Sequence, residues 1–260
     1  MDFGFSYIKQ FGFIPLNYAD LRVETLENGT ETTVLAFATP LLLIIGMYLL
    51  IAVCAYLLGS INFAVMISRT RYHDDIRLHG SKNAGTTNMM RTYGSKSAAL
   101  TFAGDAAKGV VSTIIGGLLM GQTGASIAAL FCVLGHVFPL YFGFRGGKGV
   151  AVAAATILWI NPLVFLFVVL VFVAIVAWTK YLSLGSIMGA AVYPVLLFNF
   201  TQAQLRGMPI ILSVVVASII IILHHANIRR LWRGEENKFS FKKSVKPEDA
   251  KKSLHMDDED

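Results

Sequence analysis

Long apolar stretches dominate the pattern along the chain. Five of them contain no Asp, Glu, Lys or Arg: residues 32–68, 109–144, 149–179, 181–205 and 207–228. Each exceeds the roughly 20 apolar residues with which a helix crosses a bilayer. Turn signals at Gly121-Gln122-Thr123-Gly124 and Asn161-Pro162 divide two of them. We therefore predict an all-α, polytopic membrane bundle of about seven helices, at residues 41–68, 97–120, 124–142, 148–160, 163–179, 182–200 and 208–226. The fourth is short, so six spans plus a half-inserted segment is the alternative.

The composition agrees with a membrane protein. The chain is 55% apolar and 15% charged, whereas a soluble domain has about 25% charged residues. A soluble fold, a disordered chain and a secreted disulfide scaffold are therefore excluded. Cys54 and Cys132 both lie in apolar stretches, where we expect buried, unpaired thiols. Asp105 and Lys108 lie one turn apart in the second helix, where we expect a self-neutralising structural pair, with a catalytic pair as the alternative.

The distribution of Lys and Arg predicts the orientation. With seven spans, 18 of the 22 basic residues fall on one side, which marks that side as cytoplasmic. The N-terminus is then outside and the C-terminus cytoplasmic. The net charge of +6 thus reflects topology and a lipid bilayer as partner, and no nucleic acid is expected. The predicted organisation is an extracytoplasmic appendage without a signal-peptide pattern (1–40), a membrane-embedded domain (41–241) and a disordered charged cytoplasmic tail (242–260).

Three polar segments on the predicted cytoplasmic side carry the candidate chemistry. The first polar segment, residues 80–91, is rich in glycines, hydroxyls and amides and contains Lys82 and Arg91. Such a segment suits anion binding, although a polar turn with a Ser or Asn capping the next helix is equally compatible. The second polar segment, residues 135–151, surrounds Lys148 with glycines before a predicted helix start, a pattern typical of phosphate-binding loops. Gly149 follows the lysine, so the segment is not a nucleotide-binding Walker loop, and a flexible interfacial turn is the alternative.

The third polar segment, residues 224–237, follows the last apolar stretch. On a continued helix, His224 and Asn227 share a face, while Arg229 and Arg230 meet lipid headgroups. His224 could serve as general base, hydrogen-bond donor or cap. No metal site is predicted, because His224 and His225 point to different faces and no acidic residue has ligand spacing within that helix.

Together these segments resemble the bacterial acyl-phosphate:glycerol-3-phosphate acyltransferase family of integral membrane enzymes. The resemblance covers about residues 50–240, and it is carried by Gly59-Ser60, Asp75-Ile76-Arg77, residues 105–109 and the three polar segments. Three positions depart from the family: Lys82 replaces a usual Gly, Asn62 a Pro and His225 an Arg.

The resemblance implies transfer of a fatty acyl group from acyl phosphate to the 1-hydroxyl of glycerol 3-phosphate. The products are 1-acylglycerol 3-phosphate (lysophosphatidic acid) and phosphate, in the first step of phospholipid synthesis, without a cofactor. The site would face the cytoplasm in a bacterial cell membrane. By residue-wise match, the catalytic residues are Ser81, Arg91, His224 and Asn227; the substrate- and phosphate-binding residues are Asn83, Gly85, Gly146, Gly147, Lys148, Gly149 and Ser186; and the structural residues are Asp105, Lys108 and Glu236.

Other functions remain possible from the residues alone. A membrane transporter of an anionic metabolite could use the same glycine-rich segments, although transporters usually place polar groups near the bilayer midplane in repeated halves. An enzyme that takes the acyl group from acyl-CoA or acyl carrier protein would look the same in composition and spacing. His224 and an oxygen of a substrate phosphate are both candidate bases.

Overall fold

The computed structural model describes residues 20–25, 31–36 and 41–239. Within residues 41–239 the chain forms nine α-helices and three short 3-10 turns. The helices are α1 Leu41–Gly59, α2 Phe63–Tyr72, α3 Thr86–Tyr93, α4 Ser95–Val137, α5 Val150–Ile160, α6 Pro162–Thr179, α7 Leu182–Phe200, α8 Gly207–Leu223 and α9 His225–Trp232. This part of the chain matches the predicted helical class, and the predicted helices lie within a few residues of observed ones.

Two strands precede the helices, in the region that was predicted to be an appendage and for which no strand was predicted. Strands β1 Asp20–Thr25 and β2 Glu31–Ala36 pair antiparallel, with Asp20 opposite Ala36 and Thr25 opposite Glu31. Alternating residues such as those of Leu21-Arg22-Val23-Glu24 suit a strand, but the long apolar stretches outweighed this short signal. The rest of the predicted appendage, and the predicted tail at 242–260, lie outside the described residues.

The first predicted helix, 41–68, is broken into α1 and α2. Asn62 ends the continuous helix because its side chain accepts a hydrogen bond from the Val65 N–H at 3.1 Å and thereby caps α2. Residues Ser60 and Asn62 at the break are fully buried. The break therefore places bent, polar backbone inside the protein, next to α4.

Helix α4 consists of two antiparallel halves. Met120 and Gly121 have non-helical backbone angles, with φ +60° at Gly121, and the turn coincides with the predicted turn signal. Contacts between the halves join residues that are equally far from the turn on either side. Near the turn, Ser112 Oγ donates to the Ala128 carbonyl at 3.4 Å, and further from it Asp105 Oδ1 lies 3.3 Å from His136 Nδ1. The 43-residue element therefore accounts for two of the predicted helices.

The remaining helices surround α4, which packs against α1, α5 and α8. Within the described residues, four helical segments are long and apolar enough to cross a membrane, or five if the bent pair α8 and α9 counts as one span. Helices α8 and α9 meet at 55°, so the single helix predicted through residue 226 ends at Leu223 instead. Cys132 is buried as predicted, but Cys54 is exposed on α1, whose outer face is apolar.

Candidate active site

One cavity of about 1970 Å³ joins the three polar segments. Its polar end is lined by residues 79–88 and by side chains from the loop before α5 and from α9. Its apolar end lies among α5, α6, α7 and α8. The predicted site residues that line it are Ser81, Asn83, Gly85, Arg91, Asp105, Lys148, Gly149, Ser186, His224, Asn227 and Glu236. Gly146, Gly147 and Lys108 lie behind this lining.

Asn88 holds the first polar segment in place from the interior of the protein. It is buried, its Oδ1 accepts the Ser81 N–H at 3.0 Å, and its Nδ2 donates to the carbonyls of Ile76 at 3.2 Å and His79 at 3.0 Å. This side chain therefore holds the turn that presents Ser81 to the cavity. Sequence analysis did not single out Asn88, since an amide in a helical stretch gives no distinct signal.

Helix α3 begins within the first polar segment. Its N-cap is Gly85, without a side-chain cap, so the Ser or Asn cap considered from the sequence is wrong. The Thr86 hydroxyl is buried and has no hydrogen-bond partner among the described residues. Because a helix N-terminus leaves N–H groups unsatisfied and attracts anions, this end of α3 offers an anion-binding surface in the cavity that Arg91 also lines.

The backbone of the second polar segment is partly committed to other contacts. The Gly146 N–H donates to the Val137 carbonyl at 3.0 Å, and the Gly147 N–H donates to the His136 carbonyl at 3.2 Å. These two amides therefore cannot hold a phosphate, which corrects the prediction that all three glycine amides do so. Gly149, with φ +76°, is the N-cap of α5. The first-turn residues Val150 and Ala151 line the cavity, and N–H groups in a first helical turn have no intrahelical partner.

A hydrogen-bonded chain connects the second and third polar segments. Lys148 Nζ donates to Asn227 Oδ1, and Asn227 Nδ2 donates to Glu236 Oε1 at 2.7 Å. Glu236 also accepts from Ser183 Oγ at 2.8 Å and from Arg230 Nε at 2.7 Å. Glu236 thus pairs with a basic side chain, and it links α7 to the segment after α9.

Burial sets the charges of this chain. Burial, which is the largest cause, and the nearby charges of Arg230 and Arg91 together lower the pKa of Lys148 to about 8, while Glu236 opposes them. Burial raises the pKa of Glu236, but hydrogen bonds from Asn227, Arg230 and Ser183 outweigh it and hold that pKa below its ordinary value. At neutral pH the Glu236 carboxylate is therefore charged. The same site contains three cations, Lys148, Arg230 and Arg91.

His224 lies at the bend between α8 and α9. It is buried and lines the cavity, and its Nδ1 is 2.7 Å from the Ile220 carbonyl. Since a carbonyl only accepts, the proton is on Nδ1 and Nε2 keeps its lone pair. His224 is thus in the tautomer that a general base requires.

The apolar end of the cavity is a groove along the helices. Residues of α7 from Leu182 to Tyr193 line it, a distance of about 16 Å at the usual helical rise. The other walls are mainly apolar side chains, including Phe165, Val168, Phe172, Val216 and Ile220. Ser186 lies on this wall, and its hydroxyl donates to the Leu182 carbonyl at 2.9 Å within α7.

Comparisons with known proteins decide the family. A family model described as glycerol-3-phosphate acyltransferase matches residues 49–234. The glycerol-3-phosphate acyltransferases of Thermoanaerobacter sp. (strain X514) and Clostridioides difficile (strain 630) are 42% and 40% identical to this chain. These alignments cover 76% and 75% of this chain and 98% and 97% of the relatives. The chain belongs to the glycerol-3-phosphate acyltransferase family.

Solved structures of this acyltransferase family share the fold. The crystal structure of PlsY, an integral membrane glycerol 3-phosphate acyltransferase, in its glycerol 3-phosphate form has a TM-score of 0.70 and 36% identity, over 74% of this chain and 96% of that one. Its lysophosphatidic acid form has a TM-score of 0.67 and 35% identity, over 75% of this chain and 96% of that one. The chain is therefore a multi-pass membrane acyltransferase of phospholipid synthesis.

Two departures of this acyltransferase from the family pattern have structural consequences. Asn62 caps α2, and its Nδ2 also donates to the Ala84 carbonyl at 3.4 Å, so it supports the first polar segment. Lys82 has φ +58°, a backbone conformation that glycine adopts at lower cost. Its side chain adds an exposed cation to the cavity rim.

Arg230 is a site residue of this acyltransferase that sequence analysis missed. We expected it at lipid headgroups, but it lines the cavity and pairs with Glu236. The signal was available, because Arg230 follows Asn227 by three residues and therefore shares its helix face. The described residues contain no group of three or more His, Cys, Asp or Glu side chains arranged to hold a metal.

Proposed function

We propose that the protein transfers a fatty acyl group from acyl phosphate to the 1-hydroxyl of glycerol 3-phosphate at the cytoplasmic face of a bacterial membrane. The observation that carries this proposal is the single cavity in which cations and helix N-termini adjoin a long apolar groove. Both substrates bear phosphate and one bears a fatty chain, so the reaction needs both kinds of surface in contact.

The phosphate of glycerol 3-phosphate binds Lys148, Arg230 and the first-turn N–H groups of α5. Lys148 already has a lowered pKa because it is half-buried near two arginines, and an added dianion would relieve that repulsion. Asn227 and Glu236 direct the ammonium through their hydrogen bonds. We infer that the substrate hydroxyl then lies near His224, which lines the same cavity.

The acyl phosphate binds on the opposite side of the cavity. Its phosphate meets Arg91 and the N-terminus of α3, while Ser81 and Asn83 donate hydrogen bonds to the acyl carbonyl. Its chain enters the groove along α7, where each buried methylene contributes about 0.8 kcal/mol. The apolar walls of α6 and α8 support this role for the groove.

The chemical step is a direct attack. The 1-hydroxyl oxygen forms a bond to the acyl carbon, and the bond from that carbon to the bridging oxygen breaks, so that phosphate leaves with the electron pair. The hydroxyl proton passes to His224 Nε2 or to an oxygen of a substrate phosphate. Because phosphate is a good leaving group, no covalent acyl-enzyme is needed, and catalysis rests on positioning and charge stabilisation.

We further propose seven membrane crossings, with the N-terminus outside and the C-terminus cytoplasmic. The antiparallel halves of α4 supply two crossings, and α1, α5, α6, α7 and α8 supply the others. Helix α5 has 11 residues, about 16 Å, which is half of a hydrocarbon core of about 30 Å. The loop around Lys148 then lies inside the membrane, beneath its cytoplasmic surface, where it can reach an acyl chain dissolved in the bilayer. The membrane-embedded domain would be residues 41–241, with 1–40 outside and 242–260 as a cytoplasmic tail.

A parallel donor assay tests the function. The purified protein in lipid is given glycerol 3-phosphate with acyl phosphate, acyl-CoA or acyl carrier protein carrying the same chain. Of the three donors, we expect only acyl phosphate to give lysophosphatidic acid and free phosphate. Product formation only with acyl-CoA or acyl carrier protein would overturn the proposed donor, and an absence of product with all three would overturn the proposed function.

A further inference from the structure

A cluster of two charged side chains and one histidine is buried at the inner wall of the cavity, where Asp105 and His136 line it. It consists of Asp105, Lys108 and His136, whose exposed fractions are 1%, 3% and 3%, and we name it the buried charge cluster. Lys108 Nζ is 2.9 Å from Asp105 Oδ1 and 3.1 Å from His136 Nδ1, and Asp105 Oδ1 is 3.3 Å from the same nitrogen. The cluster therefore joins the two halves of α4 at the level of the cavity.

Lys108 connects this cluster to the break between α1 and α2. Its ammonium donates to the Gly59 carbonyl at 2.9 Å and to the Ile61 carbonyl at 2.6 Å. A continuous helix would use these carbonyls as internal hydrogen-bond acceptors. At the break they lack those partners, and the Lys108 ammonium supplies hydrogen bonds to them. Asn62, the next residue, donates to the Ala84 carbonyl between Asn83 and Gly85. A path of direct contacts thus runs from Lys108 to the first polar segment.

His136 connects the cluster to the second polar segment. Its carbonyl accepts the Gly147 N–H at 3.2 Å. A Cβ atom on Gly147 would lie 2.1 Å from His136 Nε2 and 2.6 Å from the Ala84 carbonyl. The His136 imidazole and the first polar segment therefore both pack closely against Gly147, the residue directly before Lys148.

We propose that the buried charge cluster is a positioning device that fixes the spacing between the two phosphate-binding loops, with His136 as its central positioning residue. The inference rests on the proposed function for the identity of the two substrates. Two bound substrates react only when their reacting atoms are held at the right separation, and a displacement of about 1 Å can cost a factor of about 10² in rate. The cluster contacts the second loop directly through His136 and reaches the first loop through the helix break and Asn62, and it can therefore set that separation.

The chemistry of the cluster favours positioning over simple stability. Burying ions carries a desolvation cost that well-packed apolar side chains avoid, so an ion cluster is an inefficient way to stabilise a helix pair. What the ions add is direction, because each bond from Lys108 ends on a particular carbonyl or side-chain atom. Those atoms belong to the helix break and to His136, which contact the two loops.

The test compares His136→Ala with His136→Asn. The alanine variant removes both the contact with Lys108 and the ring against Gly147, whereas the asparagine amide keeps a partner for Lys108. We expect kcat of His136→Ala to fall about 10²-fold, with the Kd for glycerol 3-phosphate from calorimetry unchanged within about threefold. We expect His136→Asn to recover at least a tenth of the wild-type kcat.

Ser112→Ala is the matched control. Ser112 is buried and links the same two halves of α4 one turn further from the site, and it does not line the cavity. Thermal unfolding in detergent measures the stability of all variants, and only folded protein is assayed. We expect Ser112→Ala to shift the unfolding temperature by a few degrees without changing kcat.

Hydrogen exchange gives a readout that does not depend on turnover. We expect His136→Ala to speed exchange at least tenfold in peptides covering Asn83–Gly85 and Gly146–Lys148, and His136→Asn to stay near wild type. If His136→Ala does not fold, His136→Asn is compared with Asp105→Asn, which is expected to show the larger loss. Unchanged exchange in both loops, a kcat within threefold of wild type, or a tenfold loss of glycerol 3-phosphate binding would each overturn the inference. An inactive wild-type protein would overturn the proposed function and leave the exchange result to decide this one.

Discussion

At the scale of single residues, the charge of Lys148 depends on its surroundings. Lys148 is half-buried, the charges of two arginines act on it, and its pKa is lowered to about 8. A lysine with a lowered pKa is protonated below that pKa and neutral above it. Binding of a substrate phosphate needs the protonated form, so the favourable contact is present below about pH 8 and is lost as the pH rises through it.

The lowered pKa of Lys148 predicts how binding of glycerol 3-phosphate depends on pH. We expect the KM for glycerol 3-phosphate to be constant between about pH 7 and 7.5 and to rise about tenfold for each pH unit well above 8. Lys148→Arg, which stays charged throughout, should not show that rise, whatever its absolute KM. Initial rates in a detergent assay measure both. A wild-type KM that is flat up to about pH 9.5 would exclude Lys148 as the phosphate ligand.

Glu236 carries a second prediction at this scale. Its carboxylate accepts from Ser183, Asn227 and Arg230, and a hydrogen bond to a charged group contributes about 1.5–3 kcal/mol. We expect Glu236→Ala to lower kcat/KM for glycerol 3-phosphate at least tenfold, because Asn227 and Arg230 lose their orientation. Ser183→Ala removes one donor only and serves as the control, with an expected loss below threefold. Equal losses in both variants would contradict this role.

Sequence reasoning found some site residues and missed others for physical reasons. His224, Asn227 and Lys148 stood out because polar side chains next to long apolar stretches are conspicuous. Arg230 was missed although it shares a helix face with Asn227. His136 did not stand out, since its role depends on Asp105, which the folded chain brings to it across 31 positions. The amides of Gly146 and Gly147 were assigned to phosphate because the sequence cannot show that α4 already accepts them.

At the scale of elements, the groove along α7 limits the acyl chain. Gly189 lines the groove, and a Cβ there would lie 3.6 Å from the nearest Val168 side-chain atom, an ordinary contact. A small side chain is therefore tolerated, while a long one would project into the groove. The groove extends for about 16 Å, so its length limits the acyl chain that it can hold.

A substitution series at Gly189 tests this. We expect Gly189→Ala to fold normally with little change in chain preference, and Gly189→Leu to favour acyl phosphates shorter by several carbons. The ratio of kcat/KM for long and short donors measures the shift. An unchanged ratio in Gly189→Leu would show that the acyl chain lies elsewhere.

The helices themselves were largely predictable, and their irregularities were only partly so. Gly121 and Asn161-Pro162 gave turn signals that the structure uses. The break at Asn62 was not predicted, because one amide in an apolar stretch does not show that a buried lysine will take the carbonyls it exposes. The strands β1 and β2 were missed because strand alternation over six residues is a weak signal.

At the scale of the whole molecule, the proposed topology assigns each loop to one side. Arg206, between α7 and α8, would face outside, and Lys180, between α6 and α7, would face the cytoplasm. Single cysteines at these positions, with Cys54 changed to serine, can be labelled in intact cells with a charged thiol reagent. We expect Arg206→Cys to react in intact cells and Lys180→Cys to react only after lysis. The reverse pattern would contradict the orientation.

The central claim is that acyl phosphate donates its acyl group to the 1-hydroxyl of glycerol 3-phosphate by cleavage of the bond between its acyl carbon and its bridging oxygen. The most direct measurement uses acyl phosphate with oxygen-18 in the bridging position, purified protein in lipid, and mass spectrometry of both products. We predict one phosphate released for each lysophosphatidic acid formed, with all bridging label in the phosphate and the acyl group on the 1-hydroxyl. Label retained in the lipid product, or lysophosphatidic acid formed without release of phosphate, would contradict the account.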